Sequence, residues 1–331
     1  MTPAGILLAE EIRREGPIPF RRFMEVALYH PAHGYYRRPR DPFGKEGDFF
    51  TAEQIQPVFG MLIAERIRQL HAAMGRPADF TVVELGAGRG EMAEAFAEWR
   101  YIPIEIDSGK LPERFMGVVF SNEFFDALAV EAAVFENGAF RERRVSLRDG
   151  RFGWETGGEC REEVDLYLRR YFPPPEEGRA YEANLEALRW LEIAGQSLKA
   201  GYALTIDYGY PRAEAIRVSA GTLMGYRRHT AREEVLADPG ERDITAHVNF
   251  TALEEWGAAH GWRVERFQTL AQLLLAAGEP DRFASVLSAP TAAAELRRRM
   301  QLKTLLFGMG ETFRVLIQRR ETGEEGEEGA A

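Results

Sequence analysis

The feature that most constrains the fold is a short apolar run that stops at three alternating glycines. Asp79–Leu85 is rich in β-branched and apolar side chains and predicts a buried strand. Gly86, Gly88 and Gly90 follow at once, and Glu91–Trp99 is predicted to be a helix. Glycines let the chain turn sharply and let a ligand approach the backbone at the start of a helix. The sequence here therefore predicts a strand, a ligand-binding turn and a helix, the first part of a βαβ unit.

The rest of the chain continues this alternation of strands and helices. Further strands are predicted at Tyr101–Ile106, Gly117–Ser121, Tyr202–Asp207, Arg263–Gln268 and Phe313–Arg319. Apolar residues at helical spacing predict helices at 4–15, 19–28, 54–74, 161–171, 180–200, 251–260, 270–278 and 291–306. Residues 209–250 look long and irregular. The predicted class is therefore α/β, a doubly wound sheet with insertions.

One insertion has a different pattern. Residues 129–156 alternate between apolar and polar side chains and contain Asn137-Gly138 and Asp149-Gly150, two dipeptides typical of tight hairpins. They predict a three-stranded antiparallel meander. The predicted division is an N-terminal region of helices and a loop (1–78), a core (79–128 and 201–320), an insertion of meander and helices (129–200) and an acidic tail (321–331).

Composition excludes several classes of protein. The chain has 331 residues and a single cysteine, Cys160, so it has neither a disulfide framework nor a Cys-rich zinc module. A net charge of −10 argues against binding to nucleic acid or to an anionic membrane. The histidines are scattered, so no metal site is expected. The first residues resemble no targeting signal and no apolar run could span a bilayer, which favours a cytoplasmic protein.

The spacing of the glycines separates two classes of nucleotide-binding turn. A dinucleotide-binding turn needs its third glycine at position 91, where the chain has Glu91. A nicotinamide-dependent oxidoreductase is therefore disfavoured. Glu84 followed by glycines at 86, 88 and 90 is the pattern of class I S-adenosylmethionine (SAM) methyltransferases. The alternative is a turn whose glycines serve only its geometry.

An acidic residue near the end of the second predicted strand suits a ribose. Glu105 lies 19 residues after Gly86, and a carboxylate there accepts hydrogen bonds from both ribose hydroxyls, as it does for NAD. Asp107 is the competing candidate if the strand ends later. A solvated acid with no ligand is the other alternative.

The segment after the third predicted strand carries the candidate catalytic residues. Asn122 and Phe125 are spaced like the Asn and the aromatic residue of the Asn-Pro-Pro-Tyr motif of N-methyltransferases, although the prolines are absent. There the amide oxygen holds a substrate nitrogen in line with the methyl group, and positioning supplies much of the catalysis. Glu123 could hold a cationic nitrogen. Alternatively, Asn122 caps a helix that has Asp126 in its first turn.

Several short motifs together resemble one family, the MidA-type SAM-dependent methyltransferases, which include the mitochondrial complex I assembly arginine methyltransferase. The motifs are Gly16–Phe20, Ala27–Pro31, Gly34–Tyr36, Asp41–Gly44, Gly47–Thr51, Asn122–Leu128, Ile206–Gly209, Gly221–Leu223, Asp243–Phe250 and Met309–Glu311. The resemblance implies a class I, Rossmann-like methyltransferase sheet with an N-terminal lid over the SAM site. It also implies SAM as the cofactor and a protein arginine as the substrate, of the kind found in respiratory complex I subunits.

The resemblance also assigns roles to single residues. It implies a cofactor set of Gly47, Thr51, Glu84, Gly86, Ala87, Gly88, Gly90, Glu105 and Asn122, with Ala87 where the family usually has proline. Asp207 and Tyr208 would border the substrate at the end of a central strand. His247 is the candidate proton acceptor, with a structural role as its alternative. The catalytic set is therefore Asn122, Glu123, Asp126, Asp207 and His247.

One departure concerns length. Only 36 residues separate Gly86 from Asn122, too few for the usual helix, edge strand and adenine-lining loop. We therefore predict that the sheet is trimmed by one edge strand between residues 107 and 116. The adenine pocket would then be open or closed by another segment. The leading hypothesis is a SAM-dependent protein arginine methyltransferase. The alternative is a weakly active or non-catalytic assembly protein, and a homodimer is left open.

Overall fold

The structure is a computed structural model that describes residues 1–38, 52, 55–217, 220–227, 230–232 and 234–321. The α-helices in these residues are α1 (Pro3–Glu15), α2 (Phe20–Tyr29), α3 (Val58–Ala73), α4 (Glu162–Tyr171), α5 (Leu185–Ser197), α6 (Phe250–Ala259), α7 (Leu270–Gly278), α8 (Ala284–Leu287) and α9 (Ala292–Lys303). None of the helices described is long and apolar enough to cross a bilayer.

The strands fall close to the predicted positions, with several short additions. They are β1 (Ile18–Pro19), β2 (Phe80–Leu85), β3 (Arg100–Ile104), β4 (Phe115–Asn122), β5 (Glu131–Glu136), β6 (Ala139–Arg148), β7 (Arg151–Glu159), β8 (Ala180–Ala183), β9 (Leu198–Tyr210), β10 (Met224–Arg227), β11 (Thr230–Arg232), β12 (Asp243–Thr245), β13 (Val248–Asn249), β14 (Trp262–Thr269) and β15 (Phe313–Arg320).

The chain divides into two compact units, each made of three segments. The first unit contains Met1–Thr51, Phe125–Leu188 and Gly209–Ala252, and the second contains Ala52–Phe124, Arg189–Tyr208 and Leu253–Ala331. The division into core and insertion that we inferred from the sequence remains a prediction.

The second unit holds the sheet that the glycine motif predicts. Its strands lie in the order β14-β15-β9-β4-β2-β3. The central strands β3, β2, β4 and β9 are parallel, whereas β15 runs antiparallel to β9 and β14 antiparallel to β15. Every residue of β2 is buried, as expected for a central parallel strand. The carboxyl ends of the parallel strands share one edge of the sheet, the usual position of a ligand site in α/β folds.

Apolar side chains of α3 and α7 cover one face of this sheet. Leu62 and Ile67 of α3 and Leu273 of α7 belong to the same buried cluster as Val82 of β2 and Phe120 of β4. Burial of one such side chain contributes about 1.5–3 kcal/mol. The helical spacing that predicts α3 thus also identifies the face that packs on the sheet.

One edge of the sheet is short, as predicted. β3 is the edge strand, and residues 105–114, all of which are described, contain no further strand. A single bridge joins Glu105 to Ser108, with backbone hydrogen bonds of 2.9 and 3.0 Å. The chain then enters β4 directly.

The first unit is built on an antiparallel sheet in the order β1-β6-β5-β8, with β7 also paired to β6. Asn137 and Gly138 both have positive φ (54° and 81°), as do Asp149 and Gly150 (50° and 73°), the signature of type I′ hairpin turns. The predicted meander is therefore present, and β1 and β8 extend it. The ring of Phe20 on α2 lies 4.9 Å from that of Trp154 on this sheet.

Three local predictions are wrong. Glu91–Trp99 forms successive turns in place of a helix, and its backbone hydrogen bonds mix two spacings: Ala93 N–H donates three residues back to Gly90, and Phe96 N–H four residues back to Met92. The rings of Phe96 and Tyr101 pack 5.7 Å apart and hold the segment close to β3. Within 180–200, β8 precedes α5 because residues 180–183 pair with β5. The stretch 209–250 contains β10 to β13, short strands without a strong alternating pattern.

Candidate cofactor site and substrate residues

The glycine turn of the second unit is anchored to the end of β3. The backbone N–H groups of Gly86 and Ala87 both donate to the carbonyl of Ile104, at 2.9 and 3.1 Å. Gly86, Gly88 and Gly90 have φ of +71°, +54° and +78°, a region that side chains disfavour. The three predicted glycines therefore build a turn that other residues would strain.

The packing of Phe124 also leaves no room for a side chain at Gly86. A Cβ atom at this position would lie 2.9 Å from Cδ2 of Phe124, whose ring packs edge-on against Trp190 at 5.3 Å. At Gly90, by contrast, a Cβ atom would have no heavy atom of the described residues within 4 Å. The turn is thus packed at its first glycine and open at its third.

Glu105 lies at the turn, as predicted. Its Oε2 accepts a hydrogen bond from Gly88 N–H at 2.9 Å, and its Oε1 accepts one from Ile106 N–H at 3.1 Å. Each carboxylate oxygen has a further lone pair with which to accept a hydroxyl. The competing candidate, Asp107, is exposed beyond the end of β3. The geometry therefore favours Glu105 over Asp107 for a ribose.

Glu84 is placed differently from the other predicted cofactor residues. It is fully buried in β2, opposite Pro103 of β3 and Phe120 of β4. The hydroxyl of Tyr101 donates a hydrogen bond to its Oε2. Glu84 thus supports the strand beneath the glycine turn, and Tyr101 is a partner that the sequence analysis missed.

Asn122 and Glu123 end β4 at the same edge of the sheet. Asn122 Nδ2 donates to Glu123 Oε1 at 3.1 Å, and the same oxygen accepts from the backbone N–H of Ala52 at 3.2 Å. The backbone of Glu123 has φ +51°, and its N–H donates to Ile206 of β9 at 3.0 Å. The side-chain geometry of the pair is therefore fixed by backbone contacts.

The amide oxygen of Asn122 has an unusual environment. Asn122 is 4% exposed, and no described residue donates a hydrogen bond to its buried Oδ1. A buried acceptor without a donor costs about 1–3 kcal/mol. The alternative role as a helix cap is wrong, because residues 123–129 contain no helix. Asn122 Oδ1 is therefore a buried acceptor whose lone pairs no described residue uses.

Asp207 and Tyr208 lie near the end of β9. Asp207 is completely buried, and its Oδ1 accepts a hydrogen bond from Tyr208 N–H at 2.8 Å. The ring of Tyr208 packs on that of Phe313 with their centroids 4.0 Å apart. Parallel pairing of β4 and β9 places Asn122 opposite Ile206, so Asp207 follows at the same edge of the sheet.

Asp126 and His247 belong to the first unit. Asp126 is buried, and its backbone carbonyl accepts from Ala246 N–H at 2.9 Å. The backbone N–H of His247 donates to Thr222 Oγ1 at 3.0 Å. Burial lowers the pKa of His247 below its ordinary value, which favours the neutral ring, the form that can accept a proton.

The first unit also pairs two residues that the sequence analysis did not connect. The hydroxyl of Tyr36 donates to Oδ1 of Asp243 at 2.9 Å, and both side chains are largely buried. Burial, and to a smaller extent the charge of Asp243, raise the pKa of Tyr36 well above its ordinary value. Each residue lies in a motif shared with the family, but no sequence signal joins positions 207 residues apart. Gly47 and Thr51, the predicted lid contacts, lie outside the described residues.

A family model and several curated proteins match the chain. Residues 96–268 match Methyltransf_28, described as a "putative S-adenosyl-L-methionine-dependent methyltransferase". The chain is 39% identical over 322 residues to the bovine (Bos taurus) protein named protein arginine methyltransferase NDUFAF7, mitochondrial, covering 76% of this chain and 68% of that protein. The corresponding homolog from Drosophila melanogaster is 26% identical over 316 residues, which cover 77% and 70% of the two chains.

Two solved structures share the fold over nearly the whole chain. A COG1565 superfamily protein from Burkholderia thailandensis, in a crystal structure with S-adenosyl-homocysteine, has a TM-score of 0.82 and 29% identity, covering 97% of this chain and 92% of that one. A native structure of a COG1565 superfamily protein from the same organism has a TM-score of 0.79, with the same identity and coverage.

These similarities decide several predictions. They confirm a class I methyltransferase fold and SAM as the cofactor of the family. The prediction of a cytoplasmic protein is contradicted, because the related proteins are named as mitochondrial. The absence of a recognisable targeting signal was too weak a basis for it. The roles of the individual site residues remain predictions. From its glycine turn, its sheet and its relatives, the chain belongs to the MidA-type family of S-adenosyl-L-methionine-dependent methyltransferases.

Proposed function

We propose that this protein transfers the methyl group of SAM to an arginine side-chain nitrogen of a partner protein. The observation that carries the proposal is the buried oxygen of Asn122, which has no donor among the described residues and lies beside the Glu123 carboxylate. An arginine side chain offers N–H donors to the Asn122 oxygen and a positive charge to the Glu123 carboxylate. The related proteins named above are protein arginine methyltransferases.

The described residues of the second unit fit SAM. Glu105, held by Gly88 and Ile106, would accept the ribose hydroxyls, and the open face at Gly90 leaves room beside the turn. Glu84 would act indirectly, by supporting the end of β2. When bound, SAM supplies a methyl group on a positively charged sulfur. The family resemblance also assigns Gly47, Thr51 and Ala87 to SAM binding.

On the substrate side, Asn122 would orient the arginine nitrogen and Glu123 would balance its charge. Orientation matters because methyl transfer requires the nitrogen, the methyl carbon and the sulfur to lie in line. Asp207 is proposed as a further acceptor at the end of β9, and Asp126 as a second carboxylate. The family resemblance makes His247 the candidate proton acceptor, and burial, which lowers its pKa, favours the neutral ring that this role requires. A respiratory complex I subunit as the substrate stays a prediction from the family resemblance.

The test is a search for the methylated residue itself. Purified protein is incubated with isotope-labelled SAM and a lysate from cells that lack the gene, and labelled proteins are mapped by mass spectrometry. We expect labelled arginine with the natural protein and at least tenfold less with Asn122→Ala. Gln196→Ala, an exposed substitution on α5, serves as the control. Label found only on lysine, on a carboxylate or on a small molecule would contradict the proposal.

A second candidate is an assembly protein that keeps the methyltransferase fold without using it. The trimmed edge beside β3 favours it, because residues 105–114 form no strand that could line an adenine. Gly88→Val, which strains the turn at φ +54°, separates the two. A variant that binds no S-adenosylhomocysteine yet fully restores cells lacking the gene would establish the assembly role. Loss of the cellular role together with binding would favour the enzyme.

A further inference from the structure

The first unit contains a charged cleft on one face of its antiparallel sheet. The cleft has a volume of about 360 Å³ and is lined by side chains of β5 to β8 and by Ala220. Its wall includes Val134 and Ala180, which are opposite each other on β5 and β8, and Arg143 and Thr156, opposite each other on β6 and β7. None of the predicted site residues lines it. The cleft is therefore a candidate binding site with no assigned role.

Arg143 is the cation of the cleft. Its guanidinium lies over the indole of Trp154, 3.9 Å from the ring centre, and the residue is partly buried. None of the described residues accepts a hydrogen bond from it or forms an ion pair with it. Burial lowers its pKa, yet a guanidinium remains charged at any physiological pH. Arg143 is thus preorganised by stacking and has its donors available for an anion.

Glu182, the acid whose charge acts on Arg143, does not satisfy it. It is 6% exposed, and its Oε2 accepts both the backbone N–H and the hydroxyl of Thr222, at 3.0 and 3.1 Å. Its Oε1 has no hydrogen-bond partner among the residues that the structure describes. Burial raises the pKa of Glu182 despite the charges of Arg143 and Arg179, so its ionised form is disfavoured. The positive charge of the cleft is therefore only partly balanced.

Glu136 is the anion of the cleft. It is partly exposed at the end of β5, and no described residue forms an ion pair with it. Glu155, the other acid of the wall, is already paired with Arg148 at 3.1 Å. Glu136 lies opposite Ala139 on β6, four residues before Arg143. At about 3.4 Å per residue, the Cα atoms of Glu136 and Arg143 are roughly 14 Å apart.

We propose that this cleft binds an extended peptide segment of the protein substrate, which places an acidic side chain on Arg143 and a basic side chain on Glu136. Trp154, which lines the cleft, holds Arg143 in place by stacking under its guanidinium, and Val134 and Ala180 add apolar wall to the cleft. A free amino acid carries the same two charges but on neighbouring atoms, so it cannot reach both residues. The identification of the segment as substrate rests on the proposed function, whereas the binding chemistry does not.

The experiment measures peptide binding to the full chain by calorimetry, without SAM. The probe is acetyl-Glu-Gly-Ser-Gly-Arg-amide, and the controls are its neutral counterpart with glutamine at both ends and free glutamate or arginine. We expect the charged peptide to bind at least tenfold more tightly than the neutral one. Arg143→Gln and Glu136→Gln should each weaken it about tenfold, whereas Arg151→Gln, on the same hairpin but outside the cleft, should not.

Arg143→Gln could weaken binding simply by destabilising the sheet. A charge reversal at the same position separates that effect from the loss of the charge. Arg143→Glu should bind acetyl-Arg-Gly-Ser-Gly-Arg-amide more tightly than the natural protein does, a gain that unfolding cannot produce. Equal affinity of natural protein and Arg143→Gln for the charged probe would overturn the proposal, as would equal binding of free amino acids. Arginine methylation is measured separately. Peptide binding without arginine methylation would support the peptide site and contradict the proposed activity. Methylation without peptide binding would support the activity and contradict the peptide site.

Discussion

The two units hold the polar groups of their proposed sites in different ways. In the second unit the groups lie at the carboxyl ends of parallel strands, where backbone N–H groups hold the carboxylates of Glu105 and Glu123. In the first unit they lie on a face of an antiparallel sheet, where strand pairing puts Arg143 and Glu182 on the same side. A site at strand ends depends on local backbone conformation, whereas a site on a sheet face depends on register. Substitutions should therefore act differently in the two units.

The largest effect is expected at the glycine turn. Gly86→Val should weaken S-adenosylhomocysteine binding at least a hundredfold, because a side chain strains φ +71° and meets Phe124 at 2.9 Å. Gly75→Val is the matched control: its φ is +79°, and no described heavy atom lies within 4 Å of the added Cβ. Both should lose about 1–2 kcal/mol of unfolding free energy for the left-handed backbone. Calorimetry and urea unfolding measure the two quantities.

An affinity of Gly86→Val equal to that of Gly75→Val would contradict a role of the turn in binding. Equal affinities would also remove the contrast between the two units, because backbone strain alone would then explain the loss of S-adenosylhomocysteine binding.

This contrast also explains what the sequence could predict. Glu84 to Gly90 are contiguous, so their strand and turn could be inferred from one short motif. Asn122 could be inferred because it follows directly on the predicted strand Gly117–Ser121. Tyr101, the partner of Glu84, could not be found from the sequence. The two residues are 17 positions apart, and only the parallel pairing of β2 with β3 brings them together. The pairing of Tyr36 with Asp243 and the cleft around Arg143 depend on distant contacts for the same reason. The helix expected at 91–99 failed because ring packing outweighs local propensity.

The second prediction tests the end of β4. Asn122→Ala should lower kcat on the order of a hundredfold, the usual loss when one preorganised polar group is removed from a reacting centre. The affinity for S-adenosylhomocysteine should fall less than tenfold, because Glu105 and the glycine turn are unchanged. Ser121→Ala, the preceding residue on the same strand, should keep kcat within threefold. Equal losses in kcat for Asn122→Ala and Ser121→Ala would indicate a general disturbance of β4.

The third prediction concerns a buried pair in the first unit. Tyr36→Phe removes a hydrogen bond to the carboxylate of Asp243, and we expect a loss of about 1.5–3 kcal/mol in unfolding free energy. Tyr29→Phe removes a hydrogen bond to the backbone carbonyl of Ala127, an uncharged acceptor, and should lose about 0.5–1.5 kcal/mol. Urea unfolding at pH 7 measures both. A larger loss for Tyr29→Phe would show that the charge of Asp243 adds nothing to this contact.

The fourth prediction uses the pH dependence of stability that Glu182, on the same antiparallel sheet as the cleft, contributes. Burial raises the pKa of Glu182 above 4.5, so the folded state binds its proton more tightly than the unfolded state. The free energy of unfolding should therefore fall as the pH rises from about 4.5 through the raised pKa. Glu182→Gln cannot ionise and should lack this fall, so its stability relative to the natural protein should increase with pH. A constant difference in unfolding free energy between the natural protein and Glu182→Gln from pH 4 to pH 8 would contradict the raised pKa of Glu182.

The smallest effect is expected at His247, where burial lowers the pKa below 6.5. Here the unfolded state binds the proton more tightly, so stability is complete above pH 6.5 and falls as the pH drops through that value. His247→Asn should lack this component, and the two curves should therefore converge on acidification. The direction is opposite to that of Glu182, although burial is the largest cause in both, because burial disfavours the charged form of an acid and of a base alike. If both residues altered stability in the same direction with pH, burial could not be the common cause.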